Sequence, residues 1–342
     1  MSLADTAFIN TCREILFHGT STEDQNVRTK WEDTKTSAFT IKKFGVVNRY
    51  DLRKEFPAFT LRQTYIKSAI DEVLWIYQKK SNRISELKSH IWDQWEDEDG
   101  TIGKAYGYQI GTPYLHHEFR NLSKEQVEEL IEDGFHFQKF IDFYDKNDGY
   151  PHYIMMRNQD MSVNEEILNN YSKNSHINIY LDQMDAVLYD LKHEPFSRRI
   201  MTNTYNFQDL NEMGLYPCAY SCTFNVTDEG GDKLTLNMIL NQRSQDMLVA
   251  GNWNVVQYAA FLMMVAQVSN MEAGELVHVI GDCHIYDRHI PIIKELIQRE
   301  TYDAPIVTLD PTITDFYDFT PDSFHISNYQ YGEQIKNIPI AV

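Results

Sequence analysis

Positive charge is scarce in this 342-residue chain: 31 Lys and Arg stand against 50 Asp and Glu, a formal net charge of -19. A field of that sign repels nucleic acid and anionic membranes, so neither DNA nor a membrane surface is expected as a partner. A phosphate-bearing ligand would need a local cluster of arginines. Cysteine is also scarce, with only Cys12, Cys218, Cys222 and Cys283. That is too few for a disulfide framework, and MSLADTAFIN has no basic segment leading into an apolar one, so a reducing cytoplasm is the expected setting. Long apolar runs are missing as well. The longest, around Val255 to Val268, is interrupted by Gln257 and Gln267 and is too short to span a bilayer. What is present is 42% hydrophobic and 13% aromatic residues, enough for a large core in one domain or two modest ones.

The spacing of Ile66, Ile70, Val73, Leu74 and Tyr77 predicts a helix over residues 61 to 79. Glu72 shares a side of it with Ala69 and Ile76. A carboxylate there is either a snorkelling edge residue or a buried group with a function. From 113 to 180 the composition turns polar and acidic, reading as an insertion with two or three short helices. Its His116-His117-Glu118 run reads as a solvated loop, because adjacent residues on a strand point opposite ways and make a poor metal site. Residues 218 to 226 and 234 to 240 alternate as strands joined by the turn Glu229-Gly230-Gly231-Asp232. Val255 to Val268 follows as a buried helix, LVHVIGDCHIY as a strand, and Ile290 to Glu300 as a helix. The expectation is an α+β fold, with a mixed or antiparallel sheet packed against long buried helices.

The stretch LYPCAYSCTF poses the chemical question. On one strand Cys218 and Cys222 would be roughly 13 Å apart, which excludes a disulfide. No Cys or His pair at ligand spacing supports a metal. Two readings remain for Cys218: nucleophile, or small core residue. Its company favours the first. Arg243 in QRSQDM ends the neighbouring strand, and a guanidinium beside a thiol favours thiolate. GDCHIYDRH adds His284 and Tyr286 at another strand end, and HIWDQW gathers Trp92, Asp93 and Trp95, which suits a flat ring rather than a metal.

VRTKWED, IDEVLWIY, HIWDQWEDEDGTIGKAYGYQIG, FSRRIM, YPCAY, QRSQDM, NWNVVQYA, GDCHIYDRH and the terminal PIAV, in that order, resemble thymidylate synthase, which methylates dUMP with 5,10-methylenetetrahydrofolate. HIWDQWEDEDGTIG and YDFT are similar to its Bacillus and phage branch. The resemblance implies one thymidylate synthase domain over residues 1 to 342, with an enlarged variable insertion at 113 to 180. It implies a homodimer joined through a sheet face, and no metal. It places Cys218 as the nucleophile for C6 of the pyrimidine. Arg28, Arg243, Arg198 and Arg199 would bind phosphate, with Ser244 helping and the Arg198–Arg199 pair reaching across the dimer. Asn254 would read the uracil edge. His284 and Tyr286 would hold the 3′-hydroxyl, Glu72 would organise proton transfer, and Tyr106 would stand near the C5 proton. Trp92, Trp95, Asp246 and the tail residue Ala341 fall on the folate side, where the family's tail closes over bound folate.

Two departures stand out. Ala219 occupies the place after the nucleophile where the family commonly has histidine. In LVAGNWN, Ala250 falls on a column usually held by glycine unless Gly251 takes over. The rival readings are a dUMP hydroxymethylase of the same superfamily and, less favoured, a non-catalytic nucleotide- or RNA-binding regulator. A cytosine-specific hydroxymethylase would be expected to carry Asp in place of Asn254.

Overall fold

Two long strands of opposite origin decide where the site forms. In the computed structural model, which describes residues 1–120, 123, 125, 126, 141–144, 151–154 and 176–342, β9 (Thr235–Asp246) and β10 (Glu272–Tyr286) run parallel. Their register sets Ser244 beside Asp282 and Asp246 beside His284. The polar C-terminal ends of both strands therefore emerge together. Around this pair the sheet is antiparallel. β2 (Thr40–Asp51), with the short β1 (Thr20–Ser21) beyond it, flanks β10; β8 (Ala219–Thr227) and β7 (Met201–Asn203) flank β9.

The period-2 alternation gives the sheet two unlike faces. Thr202, Cys222, Leu240 and His278 form one row across β7, β8, β9 and β10, and all are buried. The next row, Met201, Thr223, Ile239, Val277 and Arg49, faces outward. Met201 and Ile239 are exposed there, and Val47 and Phe44 are exposed further along β2. Helices pack on the inner face. α5 (Trp253–Val268) is apolar nearly all round and so is buried. Its Phe261 stacks on Tyr77 of α2 (Ile66–Tyr77) at 4.1 Å. α1 (Leu3–His18) starts at a Ser2–Asp5 capping box. The buried Asp5 carboxylate also accepts from the Thr60 backbone and hydroxyl at 2.7 Å each. The smaller helices are α3 (Gly107–Gly111), α4 (Gln183–His193) and α6 (Ile290–Leu296), and β11 (Ile306–Leu309) pairs with β12 (Phe324–Ser327).

The hairpin and the buried helix form where the periodicity predicts them. α2, however, begins at Ile66 rather than at 61. Asn252 prevents the earlier start: its side chain accepts from Phe59 N at 2.9 Å and the Thr64 hydroxyl at 3.1 Å, and donates to Pro57 O at 2.9 Å. These bonds hold the chain before α2 out of helical geometry. α6 likewise ends at Leu296, short of Glu300. Most of the described part of the insertion is sheet: β3 (Tyr114–Arg120), β4 (Ile141–Tyr144), β5 (Pro151–Ile154) and β6 (His176–Leu181), with Glu125 and Gln126 helical. The short helices expected in it fall mostly outside the described residues. His116 and His117 are on strand β3, not in a solvated loop. A register shift between Leu115 and His117 breaks the alternation, so both rings pack against Tyr189 on α4, and His116 Nε2 lies 3.3 Å from Asp190.

One glycine here is tightly constrained. Gly103 has φ +65° and bridges to Met213, and a Cβ would stand 2.0 Å from the Glu212 carbonyl. Gly103→Ala is expected to cost more than about 2 kcal/mol of stability. A melting midpoint equal to that of the wild type would refute this.

Candidate active site

Cys218 is the last residue before β8, at the floor of a cavity of about 350 Å³ between α2, α5 and the Trp92–Trp95 turn. Its backbone N–H donates to Tyr106 Oη at 3.1 Å. The Tyr106 backbone has φ +43°, a conformation a non-glycine residue holds only when its surroundings enforce it. Arg243 reaches back from β9. Its Nε donates to Pro217 O at 2.9 Å and one terminal nitrogen to Tyr216 O at 2.7 Å, and that same nitrogen sits 3.6 Å from Cys218 Sγ. The backbone adds Arg243 N to Cys218 O at 2.8 Å. The guanidinium is thus fixed beside the sulfur by peptide carbonyls, which leaves its charge uncancelled.

That charge does not make Cys218 a standing thiolate. Burial pushes the thiol above its ordinary range, and Arg243 only partly pulls it back. The expectation of a thiolate supplied by the guanidinium alone is corrected accordingly: desolvation outweighs one partly exposed cation. Of the other cysteines, all free, Cys222 and Cys283 are fully buried and pushed up to about 12 by desolvation.

Glu72 faces the cavity from α2 and is not a snorkelling edge residue; it is 4% exposed. Burial raises its carboxyl to about 7, against the opposing effect of Gln257, Trp253 and Trp92. Trp253 Nε1 donates to it at 2.8 Å. Asn254, in the first turn of α5, is held at both ends of its amide. Its Oδ1 accepts from Gln242 Nε2 at 3.2 Å, and its Nδ2 donates to Gln257 Oε1 at 2.9 Å. Gln242 Oε1 in turn accepts from Nε2 of the buried His278 ring at 2.8 Å. Trp92 packs edge-on to Tyr106 at 5.1 Å and tilted to Trp95 at 5.3 Å, making an aromatic wall. Gln257 Nε2 and Trp92 Nε1 are buried donors on the cavity wall that lie near enough to Glu72 to favour its carboxylate but make no well-formed hydrogen bond to it, so a polar ligand could engage them.

The cavity therefore gathers Cys218, Glu72, Tyr106, Asn254, Trp92 and Trp95, with Arg243 at its rim. A second group lies at the ends of β9 and β10. His284 Nδ1 is 2.9 Å from Asp282, and its ring is edge-on to Tyr286 at 5.0 Å. Asp246 accepts from Leu248 N at 2.8 Å. Ser244 is half-buried beside Asp282, and Arg28 lies near enough to Tyr286 to favour its ionised form. Ala341 pairs with Trp31 in the same region. Arg198 and Arg199 do not join either group. They are exposed ahead of β7, and among the described residues no ion pair or side-chain hydrogen bond holds them. The glycine question resolves on Gly251, where a Cβ would meet Met247 O at 2.2 Å; Ala250 simply lines the cavity. Ala219 offers the cavity only a methyl group.

This arrangement has close parallels among known proteins. A family model described as thymidylate synthase matches residues 6–342. The chain belongs to the thymidylate synthase family. It is 34% identical over 338 residues to thymidylate synthase 1 of Bacillus spizizenii and 34% identical to the thymidylate synthase of Bacillus phage phi3T, with 98% of each chain covered in both comparisons. Among solved structures it resembles the thermostable thymidylate synthase A of Bacillus subtilis, with a TM-score of 0.74, 33% identity and 99% of both chains covered. The family uses dUMP and methylenetetrahydrofolate, and its members are typically homodimers.

Reading residues by type did not single out Trp253, Gln242 or the role of Gln257. The signal for Gln257 was present as a polar break in the apolar run, one turn after Asn254. Gln242 was visible only as the residue before Arg243.

Two measurements test the electrostatics. Iodoacetamide labelling of Cys218 is expected to accelerate only as pH rises past the ordinary thiol range, and Arg243→Ala is expected to shift that rise further upward. A labelling rate already at plateau at neutral pH would overturn the burial argument. Glu72 has a raised folded pKa, so the folded state keeps its proton while the unfolded chain loses it from about pH 4.3 upward. Its penalty is absent below that pH, grows until about pH 7, and is constant above. Glu72→Gln is therefore expected to gain stability over wild type on the order of 3 kcal/mol at pH 8 and almost nothing at pH 4. A difference independent of pH in denaturant melts would contradict it.

Proposed function

We propose that this chain methylates dUMP to dTMP reductively, with 5,10-methylenetetrahydrofolate as co-substrate and dihydrofolate as the second product, through a covalent bond from Cys218 Sγ to C6 of the base. The observation that carries this reading is the placement of Cys218, fixed by Tyr106 and Arg243, in one cavity with Glu72 and the oriented amide of Asn254.

The residues divide the work as follows. With the Gln242 bond on Oδ1 and the Gln257 bond on Nδ2, Asn254 keeps one acceptor lone pair and one N–H. That pair matches the N3–H and O4 of uracil, whereas cytosine offers an acceptor and a donor in the same places. Cys218 adds to C6 as thiolate, giving up its proton. The electrons move through C5 to O4, where a carboxyl group such as Glu72, poised near neutrality, can supply a proton through water. Nucleophilic C5 then takes the one-carbon unit. Tyr106 stands beside Cys218 for loss of the C5 proton, and expulsion of the sulfur restores the double bond. The co-substrate supplies both the one-carbon unit and the hydride that reduces it. The aromatic wall of Trp92 and Trp95 suits the flat pterin ring and leaves little room for water, which favours hydride capture over hydroxymethylation. Arg28 and Arg243, with Ser244, provide the local positive region that dUMP phosphate needs against the acidic whole. His284 and Tyr286 fit the 3′-hydroxyl. Asp246 and the tail at Ala341 fit the folate side.

We further propose that the chain is a single domain with its insertion at about 113–180, that it works in the cytoplasm, and that it dimerises through the outer row of the sheet. Met201, Ile239 and Val47 supply exposed apolar surface there. Arg198 and Arg199, without side-chain partners among the described residues, would then serve the partner's phosphate.

Incubation with dUMP and 5,10-methylenetetrahydrofolate is expected to give dTMP and dihydrofolate in equal amounts; hydroxymethyl-dUMP without dihydrofolate would select the rival chemistry. Cys218→Ser is expected to lose turnover and the adduct with 5-fluoro-dUMP, while Cys222→Ser retains both. For the arginines, Cys218→Ala and Arg199→Ala chains are each expected to be defective alone. Refolded together, they regain activity in the one site that combines an intact cysteine with the other chain's arginines. No recovery in the mixture would place the arginines in cis.

A further inference from the structure

His289 is a fully buried histidine that does not line the cavity. It sits in the short turn Asp287–His289 between β10 and α6. Its Nε2 lies 2.8 Å from the carbonyl oxygen of Pro339, in the C-terminal tail. Its Nδ1 lies 3.5 Å from Asp246 Oδ1 and has no closer partner. Trp31 and Tyr286 clamp the ring edge-on, each at 5.5 Å. Beyond Pro339 the tail pairs with the 30–32 segment. Lys30 N donates to Val342 O and Val342 N to Lys30 O, both at 2.8 Å, and Glu32 N donates to Ile340 O at 2.9 Å. That same segment follows directly on Arg28.

We infer that His289 is a positioning residue that latches the C-terminal tail to the folate-side carboxylate Asp246, joining tail, phosphate segment and strand ends into one unit. The inference rests on the reading of the site given above. A ring wedged between a carbonyl and a carboxylate satisfies both only with a proton on each nitrogen. The same Asp246 Oδ1 accepts from Leu248 N at 2.8 Å and Val249 N at 3.4 Å, which fixes the carboxylate opposite the ring. Burial disfavours the imidazolium, but Asp246, the Pro339 carbonyl and Asp287 favour it more strongly, and the ring is raised above its ordinary value. The other groups around it do not reverse this. Trp31 and Tyr286 are neutral, and Arg288, which stacks on Trp31 at 4.7 Å, is paired with Asp33 at 2.9 Å. When His289 loses its proton, a lone pair faces the Asp246 carboxylate and the latch weakens, so the tail should be freer at high pH.

The test is release of Val342 by carboxypeptidase Y, measured without substrates and scaled to the same reaction on a free peptide ending NIPIAV. His289→Phe, which removes both contacts, is expected to release Val342 roughly tenfold faster and to raise KM for methylenetetrahydrofolate by a similar factor, the effect of one lost charge-assisted hydrogen bond. The Kd for dUMP should rise less than the KM for methylenetetrahydrofolate, because of the side chains proposed to hold dUMP only Tyr286 packs on the His289 ring. His289→Gln can still donate to Pro339 O and is expected to restore most of the tail protection, which general loosening of the core would not allow. Unchanged release from a folded His289→Phe chain would overturn the latch. If that variant does not fold, the wild type decides: scaled release must rise with pH through the titration of His289, and pH-independent release would overturn the latch. Failure of the wild type to make dTMP would instead sink the proposed reaction, with the tail measurement still readable.

Discussion

A carboxyl group buried beneath an apolar helix is the constraint on which the rest of the site depends. Glu72 is held in the cavity wall with one short bond, from Trp253 Nε1. Burial at that depth is unfavourable for the charged form and sets the group to titrate near neutral pH. α2 cannot rotate to expose it, because Tyr77 on the same helix stacks on Phe261 and the helix start is held by Asn252. The same fixed α2–α5 contact sets Asn254 and Gln257 opposite Cys218. The proposed proton chemistry and base reading would therefore follow from the same arrangement as the helix packing.

The sheet contributes a second constraint of a different kind. A parallel pair inside an otherwise antiparallel sheet brings two C-terminal strand ends together, and those ends are where the polar residues accumulate: Arg243, Ser244 and Asp246 from β9, His284 and Tyr286 from β10. Backbone carbonyls then do what a carboxylate could not do without cancelling charge. Tyr216 O and Pro217 O aim the Arg243 guanidinium at the sulfur while leaving it cationic. An acidic protein thereby keeps a positive region of a few ångströms, as the proposed phosphate site requires.

Burial on the inner face and exposure on the outer face follow from the same alternation. Leu240 and His278 face the helices, while Ile239 and Val277 face away. An enzyme whose outer sheet face carries Met201, Ile239 and Val47 has apolar surface that a second copy of itself would cover. The exposed Arg198–Arg199 pair lies next to that face, just before β7.

The sequence by itself determined the family, the hairpin, the buried helix and the set of candidate site residues. Those features are written in local periodicity and in ordered motifs such as YPCAY and QRSQDM, where neighbours in the chain carry the signal. Tertiary structure decided what depends on groups distant in the chain. Asn252 bonding to residues 57–64 moved the start of α2, and a register shift on β3 turned His116 and His117 to one side. Met247 O placed the glycine requirement on Gly251 rather than residue 250. The depth of Cys218 outweighed the arginine beside it, and Gln242, Trp253 and His289 acquired roles from partners that no spacing rule connects to them. The physical reason is common to all of these. Hydrogen bonding and desolvation act over a few ångströms, and only the folded chain brings residues so far apart in sequence to that distance.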